Sequence, residues 1–163
     1  TRISSRLSEE KQQIEKEKLE EKKALEEKKA LEAKAKLELE VYSAAVKDIL
    51  ERSIRAFCSH DPDLALSVEP LEEVIDGLNK EVKKRHIKRL QKGKCTIGLG
   101  LALADIAMNY ERVADHCSNL AVYMIQMEDS TMEAHGYLDS LSDENRMYFL
   151  QMQEAYRRKY KLA

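Results

Sequence analysis

The sequence predicts an all-α protein: a three-helix up-down bundle with a long charged helical extension at the N-terminus and an added helix at the C-terminus. Charged residues make up 36% of the 163 residues, and aromatic residues only 6%. Five glycines and two prolines allow few turns, whereas a β-sandwich or barrel needs many turns and more β-branched residues. Apolar residues also recur at spacings of three and four through long segments, which is the helical period.

Residues 1–38 are predicted to form a charged helical rod or linker, followed by a helical bundle of residues 39–163. The hexapeptide EKKALE occurs at 21–26 and again at 27–32, and leucines recur every six residues in this region. Six steps of about 100° do not return to the same helix face, so these leucines form no coiled-coil seam. Lysine–glutamate pairs four residues apart stabilise the helix by about 0.2–0.5 kcal/mol each, which favours a solvated spacer.

The first helix of the bundle is predicted to continue from the rod and to end near Ser59. Its apolar stripe consists of Val41, Ala45, Val46, Ile49, Leu50, Ile54 and Phe57. The sequence His60-Asp61-Pro62 then predicts a stop and a restart, with Asp61 as the N-cap and Pro62 at the first helical position.

The second long helix is predicted from apolar residues at spacings of three and four, namely Val68, Leu71, Ile75, Leu78 and Val82. Pro70 lies inside this pattern and should kink the helix or make it restart near Ser67. A basic last turn followed by Lys92 and Gly93 predicts where the helix ends.

The third long helix is predicted from Ile97 to about Glu128, with Thr96 as its cap. Its apolar face is predicted to contain Leu99, Leu103, Ile106, Tyr110, Val113, Cys117, Leu120 and Met124. Residues 129–141 are predicted to be a polar connection, after which Ser142 caps a last amphipathic helix. That helix would pack through Met147, Leu150, Ala155 and Tyr156.

The overall charge and the cysteines limit the classes of function. A net charge of -2 gives no nucleic-acid footprint, and we expect no nucleic-acid partner. The basic run from Lys83 to Arg89 is better explained by a helix end, where cations suit the dipole, than by a binding patch. Three cysteines without a CxxC motif favour reduced thiols in a cytosolic setting. The longest apolar run, Ile97–Ala104, is far shorter than the ~20 residues that span a bilayer.

Two pairs of carboxylates with the same spacing are the candidate functional residues. Glu72 precedes Asp76 by four residues on the second helix, and Glu111 precedes Asp115 by four on the third. This spacing places each pair on one helix face, where like charges repel unless a cation lies between them. Oxygen ligands of this kind suit Mg, Mn or Fe, and His116 could extend the choice to Zn. A surface site completed by another repeat or chain is favoured over a site inside the bundle; solvated acidic faces are the open alternative.

The sequence gives little support to catalysis. A carboxylate-bridged di-iron bundle needs Glu-x-x-His on two helices, and no histidine of this chain has Glu three residues before it. His116 shares a flank with Asp105, Asn109 and Arg112, which predicts an inter-helix polar network as readily as a metal ligand. We therefore expect a protein without enzymatic turnover.

The stretch NYERVADHCSNLA, residues 109–121, resembles the signature of PhoU-like helical domains. The longer stretch 85–121 is similar to the second PhoU-like repeat at the C-terminus of bacterial sodium/phosphate cotransporter family proteins. The segment EPLEEVIDGL, residues 69–78, resembles the E-x-x-I-D-x-L helix of the same family. The resemblance covers residues 39–163 and leaves the charged rod without a counterpart.

This resemblance implies a cytosolic, all-helical regulatory domain of a membrane phosphate transporter. It implies a divalent or trivalent metal ion, such as Fe, Mn, Zn or Mg, bound through E(D)xxxD motifs. Glu111 and Asp115 match that motif on the third helix, Glu72 and Asp76 match it on the second, and Asp105 matches the family's upstream acid.

The expected partners are a transporter domain, on the same polypeptide or on a separate chain, and a second PhoU-like repeat or another copy of the chain. The expected location is the cytoplasm at the inner face of the membrane, and the expected effect is modulation of sodium-dependent phosphate uptake. The alternative is a helical-bundle or coiled-coil interaction module without a metal site.

Overall fold

The computed structural model describes residues 2–128 and 142–163, and every element in them is a helix. The helices are α1 (Arg2–Ser59), α2 (Pro62–Leu66), α3 (Val68–Gln91), α4 (Ile97–Glu128) and α5 (Asp143–Lys159). This confirms the predicted all-α class. The predicted polar connection at 129–141 lies outside the described residues. No helix in the described ranges combines the length and the apolar character needed to cross a membrane.

The chain divides into two compact units, Thr1–Lys36 and Leu37–Ala163. In the first unit the described side chains are nearly all exposed, and Leu19 and Leu25 are each about half exposed. This exposure agrees with a leucine spacing that forms no packing seam. The assignment of residues 1–38 as a separate rod or linker stays a prediction.

The second unit is built on an up-down arrangement of α1, α3, α4 and α5. Tyr42 and Ser53 of α1 donate hydrogen bonds from their hydroxyls to the backbone oxygens of Ala107 and Cys117 in α4, so these helices run parallel. Helix α3 runs antiparallel to both. The most deeply buried core residues come from α1, α3 and α4 and include Tyr42, Ala45, Ile49, Val68, Leu71, Ile75, Val82, Ala107, Ala114 and Ala121, and Tyr156 of α5 packs against them. The predicted three-helix bundle with an added C-terminal helix is therefore confirmed.

The predicted helix starts are confirmed by their capping contacts. The Asp61 carboxylate accepts a hydrogen bond from the backbone N–H of Leu64 at 3.0 Å, and Pro62 is the first residue of α2. The hydroxyl oxygens of Thr96 and Ser142 each accept a hydrogen bond from a backbone N–H three residues on, at 3.3 and 3.2 Å. Such contacts depend only on neighbouring residues, which explains why the sequence alone predicts them.

Pro70 produces a restart, the second of the two outcomes predicted for it. Helix α3 begins at Val68, so Pro70 lies in its first turn, where its missing N–H has no helical partner to lose. At the other end Gly93 adopts φ +64, the left-handed conformation that ends helices and favours glycine.

The predicted apolar faces of α1, α4 and α5 are partly wrong. Ile54 and Phe57 of α1 and Leu99 of α4 are more than half exposed. The most deeply buried positions of α4 are alanines instead, because small side chains let this helix approach α1 and α3 closely. On α5 the buried residues are Phe149 and Tyr156, whereas Met147, Leu150 and Ala155 face outward.

Two glycines in the first turn of α4 provide a matched test of this packing. A Cβ on Gly98 would meet no atom within 4 Å, whereas a Cβ on Gly100 would lie 2.9 Å from Nε2 of His86. We expect Gly98→Ala to raise the free energy of unfolding by up to about 1 kcal/mol through helix propensity. In Gly100→Ala the clash of the new Cβ with the buried imidazole of His86 should cancel that gain in stability. Urea unfolding of both variants measures the difference, and equal stabilisation would contradict this packing.

Candidate metal-binding site

The antiparallel packing of α3 and α4 brings the two predicted carboxylate pairs to one groove. Glu69, Glu72 and Asp76 follow one another at spacings of three and four along α3, which places them on one stripe. The Ser118 hydroxyl of α4 donates a hydrogen bond to the carboxylate of Glu69. We call the carboxylates of Glu69, Glu72, Asp76, Glu111 and Asp115 the acidic groove.

The pKa of the buried Tyr42 hydroxyl reflects negative charge on both helices of the groove. Burial raises the pKa of the Tyr42 hydroxyl, and the charges of Glu111, Asp76 and Asp115 raise it further. Burial also raises the pKa of Glu69, although its hydrogen bond with Ser118 acts in the opposite direction. Negative charge from both helices therefore converges beside the core.

Glu72 is the most perturbed carboxylate of the groove. Burial raises its pKa to about 7, with further contributions from the negative charges of Glu69, Glu73, Asp115 and Asp76. Among the described residues, Glu72 forms no ion pair that would compensate its charge. At neutral pH the Glu72 carboxyl group is therefore protonated in about half of the molecules and carries an uncompensated negative charge in the rest.

The other half of the groove is partly neutralised. The Asp76 carboxylate accepts a hydrogen bond from Nζ of Lys80 at 2.6 Å. Glu111 accepts hydrogen bonds from Nδ2 of Asn79 at 2.6 Å and from Nζ of Lys83 at 3.4 Å. Asn79 is buried, and its Oδ1 has no hydrogen-bond partner among the described residues. The ammonium groups of both lysines reach the groove from partly exposed positions.

Four of the five predicted ligands therefore lie on neighbouring parts of α3 and α4, and the fifth lies apart from them. Asp105 is exposed, and the hydrogen bond from Asn109 Nδ2 goes to its backbone oxygen at 2.8 Å and leaves the carboxylate untouched. Arg112 and His116 are also exposed and form no hydrogen bond or ion pair with a described residue. The predicted polar network on this flank is thus wrong, because the flank faces solvent and no neighbouring helix.

The donor set has the chemistry of a hard-cation site, but it is not assembled as one. Carboxylate oxygens from two helices and the unpartnered amide oxygen of Asn79 are ligands that Mg and Mn prefer. However, no group of three His, Cys, Asp or Glu side chains in the described ranges could hold a metal ion in its present arrangement. Asp76 and Glu111 are instead each paired with a lysine, Asp76 with Lys80 and Glu111 with Lys83.

Sequence reasoning missed four polar residues of the groove: Asn79, Lys80, Lys83 and Ser118. Asn79 and Lys83 continue the stripe of Glu72 and Asp76 at spacings of three and four, and Ser118 continues that of Glu111 and Asp115. This continuation was the available signal. In a chain with 36% charged residues it could not be told from an ordinary solvated face.

Fold and groove together define an all-helical bundle protein with paired E-x-x-x-D carboxylates on two adjacent helices. Residues 39–124, more than half of the chain, match the family described as PhoU domain, so the chain belongs to the PhoU domain family. The match includes both carboxylate pairs. The resemblance to PhoU-like domains is thereby confirmed.

One similar protein is the phosphate-specific transport system accessory protein PhoU homolog 1 of Thermotoga maritima. It is 30% identical over 91 residues, which cover 56% of this chain and 39% of that protein. The matched part of the chain thus spans about two fifths of the length of its relative. No solved structure gives a significant match to the chain.

Proposed function

We propose that this chain is a regulatory domain of phosphate transport that acts by binding and without turnover. Membership of the PhoU domain family supports this proposal, as does the name of the Thermotoga relative, which describes an accessory protein of a phosphate-specific transport system. In the finer form of the proposal the regulated partner is a sodium-dependent phosphate transporter. That transporter would lie on the same polypeptide or on a separate chain, and the domain would act in the cytoplasm at the inner face of the membrane.

The acidic groove is the observation that carries the proposal. Glu72, Asp76, Glu111 and Asp115 would hold a cation of the class Mg, Mn, Fe or Zn, which supplies the positive charge that the Glu72 half of the groove lacks. Such a cation would tie α3 to α4 because its ligands come from both helices. It would also compete with Lys80 and Lys83 for Asp76 and Glu111.

Competition between the cation and the two lysines offers a mechanism for regulation. Lysines displaced from the groove would turn toward solvent, so the charge pattern on this surface would change with metal occupancy. A transporter domain, a second PhoU-like repeat or another copy of the chain would then meet a different surface in the two states. The regulatory signal would thus be a change in affinity for that partner.

The ion pairs also favour a second candidate function, an interaction module without a metal. Lys80 and Lys83 already contact Asp76 and Glu111, so the groove can be explained as a polar seam that orients α3 on α4. Under this alternative the groove has no ligand. The binding partner would recognise the bundle surface alone.

Metal titration of three variants separates these candidates. Glu72→Gln removes a groove carboxylate, and Glu73→Gln makes the same charge change at the next, exposed position. We expect Mn at one hundred times its Kd to raise the free energy of unfolding by about 2.7 kcal/mol in the wild type and in Glu73→Gln. Glu72→Gln should weaken binding about tenfold or more, whereas Lys83→Ala should strengthen it by removing a competitor. Calorimetry and thermal unfolding provide the measurement.

Equal heats in all these proteins would remove the metal site and favour the interaction module. The transport role is tested separately, by phosphate uptake in cells that carry Asp115→Asn or the control Glu73→Gln in the full-length gene. We expect altered uptake for the first variant alone. If Asp115→Asn binds metal less well but phosphate uptake is unchanged, the metal site remains supported and the regulatory role is overturned.

A further inference from the structure

Positive charge is concentrated at the end of the bundle where α3 turns into α4. Residues 82–104 contain seven lysines and arginines and no aspartate or glutamate, whereas the rest of the chain contains 21 basic and 30 acidic residues. We call residues 82–104 the basic tip. Arg85 and Arg89 are engaged by Glu38. Lys88 and Lys92 are exposed and form no ion pair with a described residue, so their charge is available to a partner.

The same tip exposes large apolar side chains. Ile87, Ile97 and Leu101 are 53%, 78% and 65% exposed, and they line one open groove of about 390 Å³ between α3 and α4. From Ile97 to Ala104 the helix carries no charged or polar side chain, although helices that are apolar all round are normally buried. An apolar patch of this kind beside charged residues marks a surface that interacts with something else.

We propose that the basic tip docks on an anionic membrane surface. Ile97 and Leu101 would enter the boundary between headgroups and acyl chains, while Lys88 and Lys92 would contact lipid phosphates. This combination of exposed aliphatic side chains with lysines and no acidic residue is what interfacial binding requires. An acidic protein would be attracted by the lysines as well, but it would leave a helical turn that is apolar all round without a matching environment.

The proposed docking depends neither on the acidic groove nor on the regulatory role, because the side chains that would contact lipid are Lys88, Lys92, Ile97 and Leu101, none of which belongs to the groove. It would hold the bundle at the membrane surface by lipid contacts of its own. Attachment would weaken as salt screens the lysines. It would also require anionic lipid, since each lysine near such a surface contributes about a fivefold gain in affinity.

A tryptophan probe tests the insertion directly, because the chain has no tryptophan of its own. Leu101→Trp should show a blue-shifted emission with vesicles of phosphatidylcholine and phosphatidylglycerol, and quenching by brominated lipid in the same vesicles. Met127→Trp is the control: it lies in the last turn of α4, at the opposite end of the bundle, and is 86% exposed. It should show neither effect. Absence of both effects at Leu101→Trp would overturn the proposal.

Charge variants in the Leu101→Trp background test the role of the lysines. Lys88→Glu/Lys92→Glu should weaken vesicle binding at least about 25-fold, whereas Lys47→Glu/Arg55→Glu makes the same change in net charge on exposed positions of α1 and should have little effect. Circular dichroism checks that all variants are folded. The proposal would be overturned if both double variants lost the same vesicle affinity, or if the protein bound pure phosphatidylcholine vesicles equally well. A blue shift of Leu101→Trp with polyglutamate but not with vesicles would also overturn it.

Discussion

Replacement of Glu38 by alanine is expected to lower the free energy of unfolding by about 3 kcal/mol. Its side chain is only 8% exposed and accepts hydrogen bonds from Nη1 of Arg89 at 2.8 Å and from Nη1 of Arg85 at 3.2 Å. The Arg89 side chain is 10% exposed, and its Nε has no hydrogen-bond partner among the described residues. Without Glu38 this buried guanidinium would keep its charge and lose its counter-ion. Urea unfolding measures the loss.

Two further variants separate the buried charge from a general effect of truncation. Glu51→Ala removes an exposed carboxylate whose ion pair with Lys47 spans 3.9 Å, and it should change the free energy of unfolding by less than about 1 kcal/mol. Glu38→Leu/Arg89→Met replaces the pair by apolar side chains and should recover most of the stability lost in Glu38→Ala. Similar losses in Glu38→Ala and Glu51→Ala would show that the pair is not decisive. Arg85 is less affected, because Glu81 also contacts it at 3.0 Å.

The sequence predicts the helices of this fold much better than it predicts their orientation. Helix starts depend on local chemistry, and the caps at Asp61, Thr96 and Ser142 are all found where that chemistry places them. Which side of a helix is buried depends on how closely its neighbours approach. The helical wheel of α4 favours its large apolar residues, whereas the structure buries Ala107 and Ala114 most completely. Distances between helix axes are a property of the whole bundle, which no single segment encodes.

The candidate site shows the same division between local and long-range information. The spacing of Glu72 and Asp76, and of Glu111 and Asp115, is local and could be predicted. Their meeting across a groove depends on the antiparallel register of α3 and α4, which the contact between Glu69 and Ser118 fixes. That a metal site would lie at the surface and not inside the bundle stays a prediction, and the Glu111 side chain is 41% exposed.

The lysines of the groove could not be predicted. Lys80 and Lys83 are two among 28 basic residues, and nothing in their spacing distinguishes them from lysines on solvated faces. The long side chain of Lys83 crosses from α3 to α4, so its partner depends on a side-chain conformation and on the helix register together. Asp105 matches the family pattern in sequence yet faces solvent, which shows that a matching position does not guarantee a shared site.

The second large effect expected is a fall in stability as the pH rises from about 5 to about 8. The pKa of Glu72 is raised to about 7 in the folded protein from an ordinary value of 4.5. Between these two values the folded state binds more protons than the unfolded state, so the free energy of unfolding decreases with rising pH. After a discount for the part of the carboxylate that stays in water, we expect a loss of about 1–2 kcal/mol. Urea unfolding at a series of pH values measures it.

The comparison that isolates this effect is between the wild type and Glu72→Gln. Other groups titrate in the same range: burial lowers the pKa of His86, which makes its contribution to stability rise with pH and so opposes that of Glu72. A glutamine resembles the protonated carboxyl group, so the variant should match the wild type near pH 5 and exceed its stability by about 1–2 kcal/mol at pH 8. Glu73→Gln, the neighbouring control, should change the profile only slightly, because burial, and not the charge of Glu73, is the main cause of the raised pKa of Glu72. Parallel profiles for all three proteins would mean that the charge on Glu72 is compensated, and that the groove has no need of a cation.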